Sequence, residues 1–100
     1  MRVGVHHCLY NTKIMKYIIG DLGSSHLTTA LVFHEGIEHV TFKDVFVPGT
    51  IISAGFCSIQ IVNGVVDVHA YSESKSLGVV SNPEQDEKII KRAIQISVIK

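Results

Sequence analysis

The sequence has few cysteines and no long hydrophobic run, and each shortage excludes a class of protein. Its two cysteines, Cys8 and Cys57, form no CxxC or similar spacing. A disulfide framework is therefore not indicated, and a reducing cytoplasm is the expected location. No apolar stretch approaches the ~20 residues that a membrane-spanning helix needs. The N-terminus, interrupted by His6-His7, also lacks the continuous apolar core of a signal peptide.

An excess of charge of one sign is also missing. Nine basic and nine acidic residues give a formal net charge of zero. A protein that binds nucleic acid non-specifically needs a basic surface that displaces counterions, so we expect no nucleic-acid partner. Hydrophobic residues make up 46% of the chain and charged residues 18%, which permits a packed core. In a domain this small, that balance also favours self-association, which covers apolar surface.

The strongest positive signal is Asn63-Gly64, which lies between two runs of alternating residues. Asn-Gly suits a type I′ hairpin turn, because both central residues of that turn require a positive φ. The resulting register opposes Cys57 to Ala70 on an apolar face and Phe56 to Tyr71 on the other face. Both strands assign the same residues to the same faces, as a true register should.

Other segments predict further strands and turns. Residues 16–20 form a short apolar run. Residues 27–33 are apolar on both faces, which is typical of a strand that is covered on both sides or central in its sheet. Residues 37–47 follow no single period and predict an irregular segment with one helical turn. Pro48-Gly49 suits a type II turn, and residues 77–80 predict a short edge strand.

A C-terminal helix is predicted to begin after Asn82. Asn82 is a favourable N-cap, Pro83 suits the first helical position, and Gln85 occupies the third position of a capping box. The chain is therefore predicted to be α+β, with an antiparallel sheet of four or five strands and one C-terminal helix packed on one face. Residues 15–100 would form this single domain, preceded by residues 1–14 as an N-terminal arm or leader.

The loop from Ser72 to Ser76 is the main candidate ligand site. The hydroxyl groups of Ser72, Ser74 and Ser76 can donate to a phosphate or another small anion. The ammonium group of Lys75 supplies positive charge, and His69 completes the predicted set. The loop lacks the glycines of a Walker motif, and no helix follows it directly. The alternative is a solvated loop without a ligand.

The six histidines match no catalytic or metal-binding pattern. HExxH would need histidine at position 38, where the chain has Glu38, and a metal site needs roughly three or four converging ligands. His26 and His39 each begin a His-x-Thr triplet that resembles those of the 2H phosphoesterases. The two histidines are only 13 positions apart, which is too close for the two lobes of that family. We therefore predict no catalytic residue, metal or cofactor.

The second face of the hairpin carries Phe56 and Tyr71 beside polar residues. If the helix covers the face of Cys57, this second face is free. A cross-strand aromatic pair stabilises a sheet, and when exposed it is also typical of an interface. The sequence supports a structural and an interaction role for this pair equally.

Three segments, residues 52–57, 71–77 and 81–84, together resemble a set of short bacterial and phage proteins that carry no established activity. We expect a small cytoplasmic binding protein that acts as a homo-oligomer, with no membrane association. Its further partner would be another protein or a small anionic ligand. The alternative is an enzyme of phosphoester or nucleotide chemistry that uses the Ser72–Ser76 loop and nearby histidines, because an oligomer interface can supply the pocket that such an enzyme needs.

Overall fold

The computed structural model of the protein describes residues 12–23 and 27–99, the last five of them by their backbone alone. Most of the predicted N-terminal arm, as well as His26, lies outside the described residues. The first strand begins at Lys13, two positions before the predicted start of the domain.

Four antiparallel strands form the main sheet in the order β2-β1-β3-β4. They are β1 (Lys13–Asp21), β2 (Thr28–His34), β3 (Ile51–Val62) and β4 (Val65–Tyr71). Two short strands, β5 (Glu73–Ser74) and β6 (Val79–Val80), pair as a separate small sheet. The helix α1 (Pro83–Ile99) packs against β4 and β2. The predicted α+β architecture is confirmed.

The predicted hairpin register is also confirmed. Phe56 pairs with Tyr71 and Cys57 pairs with Ala70. The turn residue Asn63 has φ 52° and Gly64 has φ 79°, as a type I′ turn requires. The alternation of apolar residues therefore determines which side of the hairpin faces α1.

Both faces of the sheet are covered, each by a different part of the chain. On the α1 side, Tyr17, Cys57 and Val66 pack with Ile89 and Ile90 of the helix. The opposite face carries a second core formed by Ile18, Phe33, Phe46 and Ala54. The segment from the 3-10 helix His39–Phe42 to Gly49 supplies part of that second cover. This cover reaches the second hairpin face at Phe56, which the ring of His39 contacts, whereas Asp67, His69 and Tyr71 of that face are exposed.

The apolar run that forms β2 lies at an edge of the sheet, not at its centre. Its side chains are partly covered on both faces, since Ala30 and Val32 pack on the α1 side and Leu31 packs on the other. The sequence predicted a strand that is either covered on both sides or central in the sheet, and the first of these alternatives is correct.

The prediction of a type II turn at Pro48-Gly49 is wrong. The Val47–Pro48 peptide is cis, and the Gly49 N–H donates to the Phe46 carbonyl at 2.5 Å, so Pro48 occupies the third position of the turn. Glycine is required at position 49 for space, because a Cβ there would overlap the carbonyl of Asp21.

Candidate functional site

A groove of about 360 Å³ lies on the face of the sheet opposite α1. Strands β1 and β3, the start of the 3-10 helix and the loop after β4 contribute its walls. Its lining residues are Lys16, Glu38, His39, Phe56, Ser72, Glu73, Lys75 and Ser76. A cavity of this size is within the range that accepts a small molecule.

Lys16 places a positive charge at the bottom of this groove. The residue is only 8% exposed, because it lies in the middle of β1. Its Nζ donates to the carbonyl of Ile37 at 2.9 Å, and the Glu38 carboxylate lies at 4.0 Å. The ring centroid of Phe56 is 5.6 Å from the same nitrogen. An ammonium group has more than one N–H to donate, so Lys16 retains donor capacity toward the groove.

His39 is the second buried polar residue of the groove, with 3% exposure. Its Nε2 lies 2.9 Å from the carbonyl of Gly55. A carbonyl only accepts, so Nε2 carries the hydrogen and Nδ1 of the neutral ring is an acceptor. The rings of Phe33 and Phe56 contact the imidazole edge-on, with centroids 5.6 Å and 6.0 Å away. This packing fixes the orientation of the ring.

Three of the four candidate ligand residues of the predicted serine loop, Ser72, Lys75 and Ser76, line the groove, and Glu73 of the same loop lines it with them. Ser76 Oγ accepts from the backbone N–H of Val40 at 3.2 Å, which ties the loop to the 3-10 helix. Ser74 has a structural position instead, since it is buried and its Oγ accepts from the N–H of Leu77.

Three other predicted residues lie in different surroundings. The His69 side chain is 69% exposed beside Asp67 and does not line the groove. Phe56 is part of the groove and is partly buried. It stacks on Tyr71 with ring centroids 6.1 Å apart, and Tyr71 is 41% exposed. The aromatic pair therefore presents one exposed ring, not two.

Sequence reasoning did not assign Lys16, Glu38 or His39 to the ligand site, although its enzyme alternative placed histidines near the loop. Lys16 carried a signal, because it is a charged residue between Ile14 and Ile18 on one face of an apolar strand. No local pattern marks His39, whose burial depends on the contacts of the folded chain.

A second cluster of polar groups is buried between the sheet and α1. The carboxylate of Asp86, fully buried, accepts from Tyr17 Oη at 2.5 Å and from Ser53 Oγ at 2.7 Å. The backbone N–H of Asn82 donates to it at 2.8 Å, so Asp86 takes the capping role predicted for Gln85. Burial, followed by the contact with Asp86, raises the pKa of Tyr17 above its ordinary value. The cluster fixes α1 to the sheet.

Cys57 is buried on the α1 side, and desolvation raises the pKa of its thiol to about 12. The thiol therefore stays protonated near neutral pH and is a poor nucleophile. Across residues 12–23 and 27–99, no group of three or more potential His, Cys, Asp or Glu ligands is placed to hold a metal ion. No helix in this same part of the chain has the length and apolar character to cross a bilayer.

Comparison with known proteins gives no match. No protein-family model, curated protein or solved structure is significantly similar to this chain. The resemblance noted from the sequence stays a prediction, and the geometry of the groove is the basis for any functional proposal.

Proposed function

We propose that this protein binds a small anionic ligand in the groove of Lys16. The main support for this proposal is the ammonium group of Lys16. It is buried, yet it makes one close hydrogen bond, to the carbonyl of Ile37, and the carboxylate of Glu38 lies 4.0 Å away. Burying a charge is costly unless it is well paired. A carboxylate or phosphate group of a ligand would complete the pairing and explain why a lysine occupies this core position.

The other groups of the groove define the ligand further. Ser72, Ser76 and Lys75 supply additional donors for an anion. Glu38 and Glu73 add two carboxylates at exposed positions, and these accept hydrogen bonds from hydroxyl or amino groups. The groove therefore suits a ligand with one anionic group and several donors, such as an amino acid or a sugar monophosphate, better than a polyphosphate.

Titration calorimetry against a panel of amino acids, sugar phosphates and nucleotides tests this proposal. We expect binding by the wild type and a loss of at least about tenfold in affinity for Lys16→Met, since a charged hydrogen bond is worth ~1.5–3 kcal/mol. Lys13→Ala is the matched control, because Lys13 is an exposed lysine of the same strand outside the groove. Equal affinity in Lys16→Met and the wild type would place the ligand elsewhere.

Phosphoester hydrolysis is a second candidate, favoured by the position of His39. Its imidazole lines the same groove as Ser72 and Ser76, and its Nδ1 is the basic nitrogen of the neutral ring. An oriented imidazole near a bound phosphoester is a general base of the required kind. Release of nitrophenol from nitrophenyl phosphate mono- and diesters, compared between the wild type and His39→Gln, is the assay. Equal rates in the two proteins would exclude this role for His39.

We also propose that the protein acts as a homo-oligomer in the cytoplasm. The edge of the sheet at β2 supports self-association, as do exposed apolar side chains such as Ile61 and Val65. The unpaired thiol of Cys57 is compatible with a reducing compartment. Sedimentation velocity at micromolar concentration tests the assembly, and a species of only 11.0 kDa would contradict it.

A further inference from the structure

The outer edge of β2 lacks the features that normally protect an edge strand. No strand of the described chain pairs with this edge. Residues 28–33 contain no charged residue and no proline, and the register of β2 against β1 has no bulge. Natural sheets usually protect their edges with charged side chains, proline or a bulge, because an open edge is a template for another strand.

The other edge of the sheet, β4, is protected. Glu87 of α1 reaches over it, and its Oε2 accepts from the backbone N–H of Ala70 at 2.8 Å. Asp67 and His69 add polar side chains along the same strand, and both are exposed. The contrast between the two edges identifies β2 as the one that is available for pairing.

The ladder also defines which backbone groups of β2 are available. Val62 and Val65 flank the two-residue turn and form a hydrogen-bonded pair. Because such pairs alternate along antiparallel strands, Thr29, Leu31 and Phe33 bond to β1, while Ala30 and Val32 direct their N–H and C=O groups outward. The outward N–H of Ala70 on β4 agrees with this alternation.

We propose that β2 pairs antiparallel with β2 of a second copy of this chain, on a two-fold axis through Leu31. This proposal rests on the self-association proposed above and assigns its interface. In this register Ala30 of one protomer exchanges hydrogen bonds with Val32 of its partner. The two four-stranded sheets become one continuous sheet of eight strands.

A second copy suits this edge because the strand is complementary to itself. Centring the axis on Leu31 lets all seven residues of β2 overlap. It places Leu31 opposite Leu31 and Thr29 opposite Phe33, so no like charges meet. The outward groups of Ala30 and Val32 meet each other with donors facing acceptors. A closed, isologous dimer results, and closure leaves no further β2 edge for a third copy.

Ala30→Pro tests the interface. Proline removes an outward N–H that makes no bond to β1, which an edge strand tolerates. Ala30→Ser is the matched control, since it keeps the N–H at the same position. In sedimentation velocity we expect the wild type and Ala30→Ser to sediment as dimers and Ala30→Pro as the 11.0 kDa protomer. If circular dichroism shows that Ala30→Pro has not folded, Leu31→Lys replaces it, because it sets two lysines directly opposite each other on the axis, where like charges destabilise a strand pair.

The outcomes separate the interface from the self-association. Dimeric Ala30→Pro would overturn the β2 interface and leave self-association standing, whereas a monomeric wild type would overturn both. Hydrogen exchange of the Ala30 and Val32 amides gives an independent readout. We expect their protection to rise with protein concentration. Protection that does not depend on concentration would assign the edge to another segment of the same chain and overturn the proposal.

Discussion

Tyr17 Oη donates to Asp86 Oδ2 at 2.5 Å, a hydrogen bond between residues that are 69 positions apart in the chain. It joins the centre of β1 to the first turn of α1. Ser53 of β3 and the backbone of Asn82 donate to the same carboxylate. One acidic side chain therefore links two strands and the start of the helix. Because Tyr17, Ser53 and Asp86 are buried, the position of α1 depends on all three side chains.

Asp86→Ala should destabilise the protein by ~3–5 kcal/mol, because it leaves the hydroxyls of Tyr17 and Ser53 buried without their acceptor. Tyr17→Phe removes only one donor and should cost ~1–3 kcal/mol. Urea unfolding gives both values. Glu84→Ala, at an exposed acidic position in the same helical turn, is the control and should change the unfolding free energy by less than about 1 kcal/mol. Equal effects of Asp86→Ala and Glu84→Ala would contradict the role of the cluster.

Gly64→Val should lower the unfolding free energy by ~1–3 kcal/mol, because a β-branched residue is strained at φ 79°. A Cβ at this position meets no atom within 4 Å, so the penalty is purely conformational. Asn63→Gly is the control, since glycine accepts the positive φ of that position without strain. An unchanged melting temperature in Gly64→Val would refute the turn assignment.

Alkaline pH should destabilise the fold through Cys57 as well as Tyr17. Desolvation raises the pKa of Cys57 from 9.0 to about 12, so the folded state keeps a proton that the unfolded state releases. The stability that the protonated thiol contributes to the folded state is fully present below pH 9 and is lost as the pH rises toward 12. The unfolding free energy falls over this range by up to about 1.4 kcal/mol per pH unit. Tyr17 adds a loss in the same direction above its ordinary value of 10.0.

Urea unfolding from pH 8 to pH 11 measures this dependence, with Cys57→Ala as the comparison. The variant should lose less stability than the wild type between about pH 9 and 11, because it lacks one of the groups whose folded pKa is raised. Identical slopes in the two proteins would show that the thiol does not contribute.

Lys75→Ala should weaken ligand binding in a salt-dependent way and leave stability unchanged. Lys75 is exposed at the groove, where ions screen its charge. Lys16 is buried, so the fraction of affinity lost in Lys16→Met should vary less with salt. Calorimetry at low and high salt, with the ligand of the panel that binds most tightly, distinguishes the role of Lys75 from that of Lys16. A salt dependence that is the same in Lys75→Ala and the wild type would remove Lys75 from the site.

Local chemistry in the sequence determined the hairpin and the helix start. Asn63-Gly64 has one favourable turn conformation, and the alternation on each side then sets the register. Asn82 and Pro83 similarly mark where α1 begins. These features depend on residues that are near one another in the chain, which is why a single sequence carries enough information to predict them.

Tertiary structure alone decided the edge position of β2, the burial of Asp86 and the contents of the groove. From the sequence, Asp86 looks like an ordinary solvated acidic residue in the first turn of a helix. It is buried because the fold places Tyr17 and Ser53 against it, and both donate hydrogen bonds to its carboxylate. Lys16 and His39 meet the Ser72–Ser76 loop through the pairing of distant segments. Long-range contacts of this kind leave no periodic signal in the sequence. They result from the strand order β2-β1-β3-β4, which brings residues that are distant in the sequence side by side in the sheet.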